Sequence, residues 1–184
     1  MVFLIETKRK TNEMEWLRLK WKFDKCLIVE GYGRGGGLAL LWMDEALVKV
    51  KSYSKSHIDV VIGHDEEDRR WKFTSFYGDP KMSKRQRSRE LLRNIKSSST
   101  LPWLCGDFNE ILNNDEKLGG ASRPAKQMEN FREALVDCEL NEVQFTRGQF
   151  TWSRGKCHNA VYERLDRGLA TEGWLNLFSF SNIR

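Results

Sequence analysis

The sequence predicts an α/β protein, a layered sandwich of two mixed β-sheets flanked by helices, and three observations predict it. Short apolar strand patterns crowd the first half of the chain. Helical and strand patterns mix in the second half. The 184 residues, 40% of them hydrophobic, suffice for one domain with a substantial core, at about 150 residues per domain. That apolar content, with seven tryptophans, excludes a disordered chain, which cannot bury enough surface to offset its ordering entropy. A mean hydropathy of −0.61 excludes a helical membrane span, since no apolar run approaches about 18 residues.

Residues 2–5 form a short apolar run that stops at Glu6, the pattern of a buried strand with a carboxylate at its C-terminal end. Residues 12–23 place Met14, Leu17 and Trp21 at helical spacing. Residues 26–29 and 37–42 read as strands on either side of a glycine-rich turn, and further strands follow at 47–51, 57–62 and 71–77. In the last of these Trp71, Phe73, Ser75 and Tyr77 share one face, Thr74 and Phe76 the other. An acidic turn at 64–68 separates two of the strands. Residues 83–97 read as a basic helix with Ser83 as N-cap and Leu91, Leu92 and Ile95 facing inward. Residues 102–105 form an apolar strand running into Gly106-Asp107-Phe108-Asn109. From Pro124, the residues Met128, Phe131, Leu135 and Cys138 recur at steps of three and four, an amphipathic helix. Strands at 150–152 and 162–169 and a short helix at 172–177 complete the pattern.

The formal charge is +5, too mild to name a partner, but its distribution is uneven. Residues 81–96 carry seven bases and one acid, whereas 101–145 carry nine acids and four bases. A nuclease needs both, cations for phosphates and carboxylates for a metal. On charge alone, two solvated helix faces of opposite sign account for the pattern better. The four cysteines lie far apart with no C-x-x-C, which suggests neither a zinc site nor a disulfide framework and reads as reduced, mostly buried thiols of an intracellular protein. Residues 1–6 lack the basic start of a secretory signal peptide.

Two acidic positions end apolar runs. Glu6 follows Val-Phe-Leu-Ile, and Asp107, with Asn109 two residues on, follows Trp-Leu-Cys-Gly. Carboxylates at the ends of core strands sit at the sheet rim where ligands bind, and a magnesium ion needs only one or two of them. Taken alone, Glu6 is also simply the first exposed residue after a strand, and Gly-Asp-Phe-Asn a turn. The glycines of 31–37 lead into a strand without the Gly-Lys-Ser/Thr ending of a phosphate loop, so a hairpin is expected there. His57, His64 and His158 show no metal spacing, with His64 and His158 expected at the surface, and no nucleophile elbow is present.

Gly106-Asp107-Phe108-Asn109-Glu110-Ile111 resembles the signature of the endonuclease/exonuclease/phosphatase superfamily. Phe3-Leu4-Ile5-Glu6-Thr7-Lys8, Gly36-Gly37-Leu38-Ala39, Phe76-Tyr77-Gly78, Glu116-Lys117 with Gly119-Gly120, Phe150-Thr151-Trp152 and Glu163-Arg164-Leu165-Asp166-Arg167 extend the likeness. They occur in the order seen in endonuclease domains of plant LINE-type (non-LTR) retrotransposons, over essentially the whole chain. The resemblance implies one endonuclease/exonuclease/phosphatase domain over residues 1–184 that hydrolyses DNA phosphodiesters with Mg²⁺, or Mn²⁺ in its place. Glu6 would ligate the metal and Tyr77 would reach the scissile phosphate. Asp107 would position or activate the attacking water, and Asn109 would bind the phosphate oxygen beside it. Asp166 matches the aspartate that orients the family's catalytic histidine. The basic segment, through Lys84, Arg85, Arg87 and Arg89, would contact DNA. The implied partner is DNA, with no membrane and no obligate protein partner, and the substrate points to the nucleus.

The family's pattern also has an Asn ligand on a strand upstream of the metal Glu and a closing Ser-Asp-His, neither of which this sequence matches. The expectation is therefore an incomplete sandwich, lacking the first strand and the Ser-Asp-His strand. Its exposed edges should favour association. Its hydrolysis should be weakened or lost, since general base catalysis is worth about 10²–10⁴ in rate. The alternatives are a non-catalytic remnant that keeps at most nucleic-acid binding, and a superfamily branch acting on phosphoinositides, sphingomyelin or RNA tails.

Overall fold

The computed structural model describes all residues except 32–35, 65–69, 100, 147 and 182–184. Most of the glycine-rich turn and most of the acidic turn thus lie outside the described residues. The chain divides into two compact units, Met1–Tyr77 and Gly78–Arg184.

In the first unit, β1 (Val2–Ile5), β2 (Lys25–Val29) and β3 (Leu38–Trp42) form an antiparallel sheet with β3 in the centre. The run Leu-Ala-Leu-Leu-Trp is apolar throughout because β3 is buried on both faces. Leu38, Leu40 and Trp42 pack with Ile58 and Val60, whereas Ala39 and Leu41 pack with Met14 and Leu17 of α1 (Thr11–Lys20). A second antiparallel run, β4 (Val48–Ser54), β5 (His57–Ile62) and β6 (Trp71–Phe76), supplies Ile58 and Val60 to that core. The opposite face of β5 and β6 is polar and buried. Thr74 donates a 2.5 Å hydrogen bond to Asp59, and the Lys72 ammonium lies 3.8 Å from the same carboxylate. All these strands agree with the sequence reading to within a few residues.

In the second unit, β7 (Trp103–Gly106) pairs antiparallel with β12 (Gly168–Ala170), which pairs with β9 (Asn141–Glu142). The strands β8 (Lys117–Leu118), β10 (Trp152–Arg154) and β11 (Val161–Glu163) form a separate small sheet. Helix α3 (Ala125–Asp137) buries Met128, Phe131 and Leu135, with Cys138 at its C-cap, as the spacing predicts, and α4 (Glu172–Leu177) follows β12. None of the four cysteines is disulfide-bonded. No helix among the described residues is long and apolar enough to cross a membrane.

Two expectations change. Helix α2 (Arg85–Ser97) does not start from a Ser83 cap, because Ser83 sits inside a 3-10 turn, Met82–Lys84. Asp79 organises the entry instead: its carboxylate accepts the Lys81 N–H, and its own N–H donates to the Ser88 hydroxyl. The strand expected over 162–169 breaks into β11 and β12, which belong to different sheets. Its middle is turned by Thr151, whose hydroxyl oxygen accepts the N–H groups of both Leu165 and Asp166, and by Arg167, which is drawn inward to Glu116.

Candidate active site

In the first unit the rim of β1 carries Glu6. The β1–β3 ladder ends at Ile5 opposite Leu38, after which Thr7 and Lys8 donate their N–H groups to the Gly37 and Gly36 carbonyls. Between these anchors Glu6 takes a left-handed backbone, φ +49°, a conformation costing about 1–2 kcal/mol for a residue with a Cβ. Gly37 must be glycine, since φ is +93° and a Cβ would lie 2.5 Å from the Thr7 hydroxyl. The Tyr77 hydroxyl donates a 2.6 Å hydrogen bond to the Glu6 carboxylate, and the Lys8 ammonium lies 3.6 Å from its other oxygen. The Glu6 side chain remains 49% exposed, so its oxygens face solvent as well as Tyr77.

In the second unit β7 runs out into Asp107, whose N–H donates to the Arg167 carbonyl and whose carbonyl accepts the Gly78 N–H at 3.1 Å. The Asn109 side-chain amide donates to the Gly78 carbonyl at 3.0 Å. Gly78 thus holds both candidate residues through its backbone, and no side chain fits there: a Cβ would fall 1.8 Å from the Phe108 carbonyl oxygen. Asp107 and Asn109 are both left-handed, at φ +66° and +54°. Phe108 packs on Phe131, and Ile111 joins the core with Met128 and Leu165, so the apolar residues of the motif fix the loop that aims the polar ones. Asp166 lies just before β12, and β12 runs antiparallel to β7, so it stands at the same strand end as Asp107. Its side chain is exposed, and among the described residues no histidine is hydrogen-bonded to it. His158 is exposed in the turn Cys157–Asn159, and His64 is exposed in the first unit. His57 is buried between Ser52 and Ser54, with burial and then Lys72 lowering its basicity.

Of the four cations expected to face DNA, Lys84 and Arg87 are exposed, whereas Arg85 and Arg89 are engaged inside the unit. Arg85 is 7% exposed and donates to the Asp79 and Pro80 carbonyls, and burial brings its guanidinium down to about 10. Arg89 grips both oxygens of Glu110, at 2.8 and 3.1 Å. Arg93 and Lys96 pair with Asp137 and Glu139. Three of the seven bases thus pair with acids of the other segment, and of the four cations expected to face DNA, Lys84 and Arg87 stay exposed.

Sequence reading missed the framework behind the motifs. Arg167, with a fully buried side chain, binds Glu116 through two hydrogen bonds of 3.1 and 2.6 Å. Glu163 accepts from Lys117 and Arg123, both at 2.8 Å. Burial alone would raise the Glu163 carboxyl, but the hydrogen bonds from Arg123 and Lys117 outweigh it and hold it below the ordinary range. The only signal for these pairs was that Glu116, Lys117, Glu163 and Arg167 fall in the motifs Glu116-Lys117 and Glu163 to Arg167, and Arg123 carried none.

Among the described residues no cluster of three or more His, Cys, Asp or Glu side chains could hold a metal on its own. A hard divalent cation such as Mg²⁺ needs less, because water and substrate phosphate complete its oxygen shell. Glu6, a half-exposed carboxylate at a strand end, fits that requirement as one oxygen donor.

No family model matches the sequence, and no curated protein matches it. Solved structures do. The endonuclease domain of TRAS1, a telomere-specific non-LTR retrotransposon, aligns with a TM-score of 0.62 at 14% identity, covering 96% of this chain and 88% of that one. The 3′ phosphatase NExo from Neisseria, bound to a product DNA hairpin, aligns with a TM-score of 0.63 at 14% identity, over 92% of this chain and 75% of its own. The human Nocturnin catalytic domain aligns at 0.56 and 14%, over 92% and 68%. These proteins share the endonuclease/exonuclease/phosphatase fold, and this chain has that fold.

Proposed function

We propose that this chain is an endonuclease of retroelement type that hydrolyses DNA phosphodiesters with Mg²⁺. The observation that carries the reading is the Tyr77–Glu6 hydrogen bond, which joins a proposed phosphate-contacting hydroxyl to a proposed metal-binding carboxylate. The left-handed backbones of Glu6, Asp107 and Asn109 add to it, since strain of this kind is retained where function needs it. The DNA-bound NExo and the retrotransposon endonuclease TRAS1 supply the substrate class.

In this mechanism Glu6 would hold the metal, and Tyr77, whose single hydroxyl proton goes to the Glu6 carboxylate in this structure, would turn that donor to the phosphate once the metal takes the carboxylate. A divalent ion bound there would supply Lewis-acid chemistry at the phosphoryl oxygens. Asp107 takes the proton from the attacking water as general base. Asn109 spends one amide hydrogen on the Gly78 carbonyl and presents the other to a phosphoryl oxygen, where charge develops in the transition state. Lys84 and Arg87 attract the backbone phosphates. Asp166, with no imidazole hydrogen-bonded to it among the described residues, is given no part in proton transfer in this mechanism.

Relaxation of supercoiled plasmid by the purified chain, with Mg²⁺ and with EDTA, tests the proposal. Slow nicking that requires the metal and disappears in Glu6→Ala supports it. Absence of nicking over long incubation, or nicking indifferent to EDTA and to Glu6→Ala, overturns it.

A further inference from the structure

Helix α1 presents an unusual outer face. Trp16 is 58% exposed and Leu19 64%, one turn apart, on a helix whose Met14 is buried in the core. The Lys20 ammonium sits 4.8 Å above the Trp16 ring. A groove of about 450 Å³, lined by Arg9, Asn12, Glu13, Trp16 and Leu17, opens along this helix. Residues 8–22 hold six bases and two acids, and both acids are already paired, Glu13 with Arg9 and Glu15 with Arg18. Lys10, Lys20 and Lys22 have no acid within ion-pair distance among the described residues.

We propose that this face of α1 is a binding platform for single-stranded nucleic acid, on which an unpaired base stacks against Trp16 while Lys20 and the neighbouring lysines meet the phosphates. Charge decides the occupant. An apolar helix patch alone would suit a protein partner, but an exposed indole set in a field of unpaired ammonium groups suits a polyanion carrying flat π-faces. Stacking needs an unpaired base, so the platform selects single strands over duplex. The inference uses none of the residues given catalytic roles above, and binding without cleavage would refute the nuclease reading while leaving this one intact.

Anisotropy of a fluorescein-labelled oligothymidylate of about 20 nucleotides, titrated with the full chain in EDTA, tests it. Base stacking on an aromatic is worth about 5–150-fold in affinity. Trp16→Ala is expected to weaken binding at least about 5-fold. Trp16→Phe, which keeps a ring, and Trp152→Ala, another exposed indole, are expected to stay near wild type. Lys20→Ala should lower the slope of log K against log salt by about 0.7. Failure of the wild type to bind, equal binding by Trp16→Ala, or competition by blunt duplex as strong as by the single strand would each overturn the proposal.

Discussion

The Tyr77 hydroxyl and the Glu6 carboxylate, 71 positions apart in the chain, meet at 2.6 Å. Tyr77→Phe removes the donor and leaves the ring. Because the bond is exposed, unfolding free energy should change by less than about 1 kcal/mol. If the hydroxyl serves the phosphate, nicking should fall about 10²-fold, the loss typical of one transition-state donor. Parallel urea melts and plasmid nicking measure the two effects, and a large stability loss with unchanged nicking would make the bond structural.

Gly78 is the backbone hinge of the second group. A Cβ there must displace the Phe108 carbonyl, which is fixed by the Phe108–Phe131 packing. Gly78→Ala should therefore cost about 3 kcal/mol or more, at the top of the overpacking range. Urea denaturation reads it directly.

The Arg167–Glu116 pair gives a third prediction. Arg167→Met leaves the buried Glu116 carboxylate with the Leu112 N–H and a more distant Arg164 guanidinium, at 3.9 Å, and should cost about 3 kcal/mol. Arg167→Met/Glu116→Leu should recover much of that loss in the same melts, because no buried charge is then uncompensated.

What the sequence disclosed follows from how local each signal is. The apolar run of β3 and the three-four spacing of α3 report burial through neighbouring residues, and both elements lie where the pattern predicts. Arg167 and Glu116 are 51 residues apart, and Arg123 and Glu163 40, so nothing local separates these buried charges from surface ones. Arg85 and Arg89 look like part of a cationic face in the sequence for that reason, since their partners, the Asp79 carbonyl and Glu110, come from turns and loops. Within the strands, Lys72 and Asp59 alternate as solvent-facing residues would, yet both are buried against each other. Glu6, Asp107 and Asn109 stand out locally as polar residues ending apolar runs, whereas Tyr77 is singled out only by the resemblance to a known motif set. Their left-handed backbones and glycine supports are three-dimensional facts that composition does not carry.

Acid should expose the Glu163 network. Its folded carboxyl titrates below the ordinary value of about 4.3, so its contribution is present above that pH and is lost as pH falls through the folded value. Glu163→Gln cannot titrate. Wild type should be the more stable at pH 6, and the gap between them should narrow as pH falls below about 4.3 in urea melts. A gap constant with pH would show that the ion pairs with Arg123 and Lys117 do not stabilise the charged form.

The most direct measurement is plasmid nicking as a function of Mg²⁺ concentration for wild type, Glu6→Gln and Asp107→Asn. If Glu6 holds the metal and Asp107 accepts the water's proton, Glu6→Gln should raise the Mg²⁺ concentration for half-maximal rate. Asp107→Asn should lower the rate at saturating Mg²⁺ by about 10²–10⁴ without moving that concentration. Wild-type curves from both variants would contradict the assignment of the two carboxylates.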